Sequence, residues 1–226
     1  MFGKRVYRFY TSLATPRVPR SVTVMNPYAG RPVQGYLKGF LGKFFGDDQS
    51  RTAILGINPG RFGAGVTGVT FTDPVALADA CGTANDLPRK RELSSIYVYD
   101  VIERMGGPEQ FYRQFFLSAV CPLGFTRNGI NLNYYDDRKL ERAVTPFIVS
   151  SVEQHIALGC RRDHVVILGR GANARFFSRL NDEHEWFGEV HALDHPRFIM
   201  QYRRRQLAAY ISQYAELLSK IAAASV

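Results

Sequence analysis

Four short apolar runs recur along this chain with helix-length segments between them: TAILGI, FFLSAV around Phe115–Val120, HVVILG from His164 to Gly169, and GEVHAL from Gly188 to Leu193. A short apolar run bounded by turn-forming residues reads as a strand buried on both faces. In PVQGYLKGFLGKFFGDD, residues Val33, Tyr36, Leu37, Phe40, Leu41, Phe44 and Phe45 recur every three or four positions, as one face of a helix does. SSIYVYDVIERMGG and TPFIVSSVEQHIALGC are long enough for crossover helices, and a last stripe runs through Leu207, Tyr210, Ile211, Tyr214, Leu217, Leu218 and Ile221. Strand and helix therefore alternate. This pattern predicts an α/β fold, a three-layer α/β/α arrangement around a central, mostly parallel four-stranded sheet. No repeat, low-complexity tract or linker divides the chain, so residues 1–226 are expected to form a single domain, with 1–50 as an N-terminal helical segment packed on it.

Ligands of open parallel sheets bind beyond the C-terminal ends of the strands. Three segments are expected there: Asn58 to Phe71, Cys121 to Asn133, and His195 to Arg205. The first, within GINPGRFGAGVTGVTF, is rich in glycine and carries one charged residue. It lacks the GK[ST] ending of a P-loop, and no GxGxxG register opens a helix, so a phosphate cradle fits poorly. GRGANARFF, from Gly169, is an ordinary strand-to-helix turn. Bare backbone at Gly56, Ile57, Gly60 and Gly63 suits close approach to a flat ligand, with Asn58 offering an amide and Phe62 and Phe71 offering aromatic faces. A nucleobase turned out of its stack is such a ligand. The competing reading, Asn58-Pro59-Gly60 as a plain turn and both phenylalanines as core, weighs equally on these residues alone.

DHPRFIMQYRRR, from Asp194 to Arg205, shifts the balance. His195 precedes a proline at a strand end, where an imidazole can donate to a leaving group that is gaining negative charge. Phe198, Ile199 and Met200 can form an apolar wedge, and Arg203, Arg204 and Arg205 can grip phosphates. The formal net charge of +9 agrees with a polyanionic partner, DNA first among them. Cys81, Cys121 and Cys160 are widely spaced, with no CxxC pair and no histidine at ligand spacing, so no cofactor and no metal is expected. The basic start lacks a signal-peptide apolar stretch, and no segment approaches a membrane span. A monomeric, intracellular protein in a reducing compartment is expected.

GINPGRFGAGVTGVTF, CPLGF and HPR together resemble the uracil-DNA glycosylase superfamily, and most closely its single-strand-selective monofunctional branch. The match in spacing runs from about Arg51 to Tyr210. Position by position, the resemblance implies that Asn58 holds the attacking water, Phe71 stacks on the base and His195 hydrogen-bonds the departing base. It implies that Gly60 and Gly63 admit backbone amides to the base and the flanking phosphate. By the same likeness, Gly56, Ile57, Phe62, Ser118 and Ala119 would line the base pocket, and Arg61, Arg197, Phe198, Arg203, Arg204 and Arg205 would face DNA. Two positions depart from the pattern. Ala119 stands where an asparagine commonly reads the pyrimidine edge, and Arg197 replaces the serine of His-Pro-Ser. The first departure opens xanthine and hypoxanthine beside uracil as substrates, and Asn128, Asn131 and Asn133 as alternative amides. A non-cutting binder of damaged or single-stranded DNA on the same fold is the other reading, and an enzyme of free nucleotides is a third.

Overall fold

The computed structural model describes residues 1–224. In chain order its elements are α1 (Phe2–Thr11), β1 (Thr23–Met25), α2 (Arg31–Phe44), β2 (Arg51–Gly56), α3 (Ala64–Thr67), α4 (Pro74–Asp79), α5 (Leu93–Arg104), α6 (Pro108–Gln114), β3 (Phe115–Ala119), β4 (Gly124–Arg127), β5 (Ile130–Leu132), α7 (Arg138–Ala157), β6 (Cys160–Leu168), α8 (Ala172–His184), β7 (Glu189–Leu193), α9 (Pro196–Tyr202) and α10 (Leu207–Ala224). The central sheet has the order β3-β2-β6-β7, and every pairing in it is parallel. All four expected strands are present. Among the described residues, no helix is long and apolar enough to cross a membrane.

Alternation along the strands divides the core. Ile54, Leu117, Val166, Leu168 and Leu193 line one space with Val98 and Val101 of α5 and Tyr214 and Leu218 of α10. The other face belongs to α1 and α7. There Phe2 meets Phe116 edge-on at 5.3 Å, and His155 approaches Phe9 at 5.2 Å and Phe116 at 5.9 Å. Each such side chain contributes roughly 1.5–3 kcal/mol by leaving water.

Arg51 opens β2 as a fully buried cation. Its guanidinium donates to the carbonyls of Tyr112 (2.8 Å) and Gln49 (2.7 Å) and to both carboxylate oxygens of Asp47 (2.8 and 2.9 Å), beside the rings of Phe2 and Phe45. The charge is therefore compensated, and the Arg51 bond holds the Asp47 carboxyl below the usual range. The three cysteines are free and buried; burial pushes Cys81 up to about 11 and Cys121 and Cys160 to about 12, so they stay protonated.

The structure adds elements that the sequence reading did not contain and moves the starts of two that it did. β1, β4 and β5 form a small antiparallel sheet, and the turn joining β4 to β5 places Asn128 (φ 51°) and Gly129 (φ 72°) in the left-handed region. Asn-Gly is the pair that a two-residue hairpin turn selects. α7 begins at Arg138, before the expected Thr145, because Asp137 accepts from the amides of Lys139 and Leu140 and Pro146 is tolerated inside the helix. β6 begins at Cys160, where its pairing with β2 is interrupted between Arg51 and Ala53.

Candidate active site

β2, β6 and β7 deliver three loops to one end of the sheet. The Gly56 carbonyl accepts from Val120 N (2.9 Å) and the Ile57 carbonyl from Cys121 N (3.0 Å), which carries the β2–β3 pairing past both strand ends. Asn58 follows at once. Its Oδ1 accepts from Tyr134 N at 3.1 Å and its Nδ2 donates to Leu132 O at 3.3 Å. Both ends of the carboxamide are thus fixed by the end of β5, and the second lone pair of Oδ1 remains for a water. The small sheet is the brace for this side chain.

Phe71 is almost buried, and its φ of 55° is a strained conformation for a residue with a side chain, worth about 1–3 kcal/mol. The segment before it explains how that is held. The buried Thr67 hydroxyl donates to Thr72 O at 2.7 Å and accepts from Val69 N at 3.1 Å, while Gly68 at φ 72° would place a Cβ 2.5 Å from Val33. Thr-Gly-Val is therefore the sequence of a tight loop. The Phe71 ring rests on Gly56, where a Cβ would lie 2.7 Å from Phe71 Cζ. The His195 ring lies near it, tilted by 51° at 5.8 Å between centroids.

His195 caps α9. Its Nδ1 accepts from Arg197 N at 3.1 Å, so a neutral ring carries its proton on Nε2, free to donate. Burial, and then the positive charge of Arg197, pull the imidazole down to about 4. At neutral pH the group is an uncharged donor.

A buried amide lies beneath these loops. Asn173, on the first turn of α8, donates to Leu168 O (3.1 Å) and reaches Gly56 O (3.5 Å), and its Oδ1 accepts from the Tyr134 hydroxyl at 2.7 Å. Tyr134 thus connects Asn173 to Asn58. Neither residue was singled out in the sequence, where Asn173 lies in what reads as an ordinary turn.

The remaining expected residues divide. Gly60 and Gly63 lie in the loop after Asn58, their carbonyls accepting from Gly65 N and from Val66 and Thr67 N. Ala119 is in register with Gly56, so its small side chain points to the Phe71 side of the sheet. Ser118 points the other way. Its hydroxyl is bonded to Tyr10 and to His155 Nε2, both at 2.8 Å, so its side chain belongs to the core beneath α1 and α7 and corrects the expectation of a base contact. Asn131 docks on the loop, its Oδ1 accepting from Arg61 N at 3.3 Å; Asn133 is tied to Asp136, and Asn128 is in the hairpin turn.

The rim is aromatic and basic. Phe62 is 44% exposed, with Lys90 Nζ 3.7 Å from its ring centre and Arg61 beside it. Beyond His195, Arg197 and Arg203 to Arg205 are exposed, and the Phe198 and Tyr202 rings lie tilted to each other at 5.5 Å with Arg203 over Phe198. Ile199 and Met200 are buried, so of the expected apolar trio only Phe198 faces solvent.

Two comparisons with known proteins find a likeness. The family model of the uracil DNA glycosylase superfamily matches residues 43–219. The crystal structure of wild-type Pedobacter heparinus SMUG2 superposes with a TM-score of 0.94 at 38% sequence identity, covering 97% of each chain. No curated protein matches the chain.

Proposed function

The chain belongs to the uracil-DNA glycosylase superfamily, and on that premise we propose that it extrudes a deaminated nucleotide from DNA into the cleft beside Gly56 and releases its base. As a member it is a DNA glycosylase, a hydrolase of the N-glycosidic bond. The finer reading rests on one observation above the others: Phe71 spans from Gly56, two residues before Asn58, to His195.

Breaking the glycosidic bond leaves an oxocarbenium-like sugar and an anionic base. So reactive a cation needs little help from its nucleophile, and a neutral amide suffices to place a water below the sugar. Asn58 holds that water, which bonds to C1′ and gives up its proton to solvent. Nε2–H of His195 stabilises the departing anion, and Phe71 carries the base by stacking worth about 1–3 kcal/mol. Because water rather than an amine attacks, the strand stays intact and an abasic site remains. All these groups come from one chain, so a monomer suffices. Phe62, Arg61, Lys90, Arg197, Phe198 and Arg203 to Arg205 form the rim against the DNA backbone and the gap left by the extruded base.

Ala119 supplies no amide at the pocket edge, which favours xanthine or hypoxanthine beside uracil. The test is a panel of oligonucleotides, single- and double-stranded, each carrying one uracil, xanthine or hypoxanthine, treated with alkali after incubation with the protein. Wild type should create alkali-labile sites on at least one, and Asn58→Ala should still bind but lose nearly all cleavage. Binding with no cleavage by wild type, or wild-type cleavage by Asn58→Ala, would overturn the assignment.

A further inference from the structure

His164 of β6 and Glu189 and His191 of β7 meet on the sheet before the strand ends that carry the cleft, His164 and Glu189 by four residues, roughly 13 Å, and His191 by two, roughly 7 Å. His164 is paired in register with Glu189, and His191 follows two residues later on the same face of the edge strand. His191 Nε2 lies 3.2 Å from His164 Nδ1, and Glu189 Oε2 lies 3.6 Å from the His164 nitrogen and 3.5 Å from that of His191. An ion bound tetrahedrally at about 2.1 Å holds neighbouring ligand atoms about 3.4 Å apart. The three separations observed match that edge length without any rearrangement. The imidazoles are mostly covered, at 16% and 23% side-chain exposure, whereas Glu189 at 67% leaves a way in from solvent.

We propose that His164, Glu189 and His191 form a site for a divalent transition-metal ion of the zinc class, with its fourth position open to water. Two nitrogens and one carboxylate select such an ion over magnesium or calcium, which prefer oxygen alone. The ion ties the edge strand β7 to β6. Its distance from Asn58 and His195 separates it from base removal, so the failure of either assignment leaves the other standing.

Untagged full-length protein, stripped with a chelator, is titrated with zinc against a chromophoric competitor, and its melting temperature is followed in parallel. One zinc per chain and a melting temperature that rises with zinc but not with magnesium are expected. His164→Asn, Glu189→Gln and His191→Asn should each weaken binding by more than the roughly 10- to 100-fold that changes behind a ligand cost. His184→Asn, which alters the histidine stacked on Trp186 outside the cluster, should leave binding unchanged. Cobalt in place of zinc should give the intense visible bands of four-coordination in wild type and lose them in each ligand variant that still binds. Wild-type binding no tighter than that of the triple variant, or single variants equal to wild type, would overturn the site and leave an inter-strand hydrogen bond in its place.

Discussion

The Phe71 ring lies against Gly56 so closely that a methyl group there would approach it to 2.7 Å. The glycine is thus the floor on which the stacking ring rests. Gly56→Ala should tilt Phe71, cost about 1–3 kcal/mol of stability by overpacking, and lower kcat/KM roughly 10- to 100-fold. Single-turnover cleavage and thermal melting measure the two losses; a variant with unchanged cleavage would remove Phe71 from the reaction.

Asn58 is clamped by donating to Leu132 O and accepting from Tyr134 N, so aspartate is not a simple improvement. A carboxylate holds water more strongly, but it sets an oxygen without a proton against the Leu132 carbonyl. Asn58→Asp should therefore melt lower than Asn58→Ala near neutral pH, and the gap should close in acid as the carboxyl protonates. Melting curves of the two variants between about pH 4 and 8 decide it.

Arg197 both donates its amide to His195 and lowers the imidazole pKa through its charge. Arg197→Ser should keep the backbone bond and raise that pKa. If neutral His195 is the working form, the acid limb of the pH–rate profile moves to higher pH in the variant, and His195→Ala loses about 10²–10³-fold in rate. An acid limb that stays in place would show that His195 titration does not govern the reaction.

His155 is buried with its Nε2 on Ser118 and is pulled down to about 4 by desolvation. Its folded pKa is below its unfolded value, so the unfolded chain binds more protons. The stability it contributes is present above about pH 6.5 and is lost as pH falls toward 4. His155→Gln, which preserves a partner for Ser118, should flatten denaturant-measured stability across that window by up to about 1.4 kcal/mol per pH unit. An unaltered slope would mean that His155 does not titrate there.

Arg203, Arg204 and Arg205 are all exposed beyond α9. Replacing the three with alanine should reduce the slope of log affinity against log salt by about one for each phosphate left without its arginine. Parallel slopes for variant and wild type would take this segment off the DNA path.

The strand and helix periods were legible in the sequence because burial imposes them residue by residue, whereas the long glycine motif was legible only through its likeness to a known family, since its residues alone suit a plain turn equally well. Gly68 and Phe71 show what the motif did not reveal: both have left-handed backbones inside that loop. The small β1-β4-β5 sheet was less visible, since its strands are three or four residues long and its one clear mark is the Asn128-Gly129 turn.

Sequence by itself determined the sheet and its crossover helices, and the likeness of its motifs to a known family pointed to the amide, ring and imidazole offered at one end. Tertiary structure decided which way Ser118 points, what clamps Asn58, which ring nitrogen of His195 carries the proton, and that His164 meets Glu189 and His191. Local patterns follow from each residue's own exposure to water. Strand register and side-chain partnership join residues distant in the chain, so they exist only once the layers have packed.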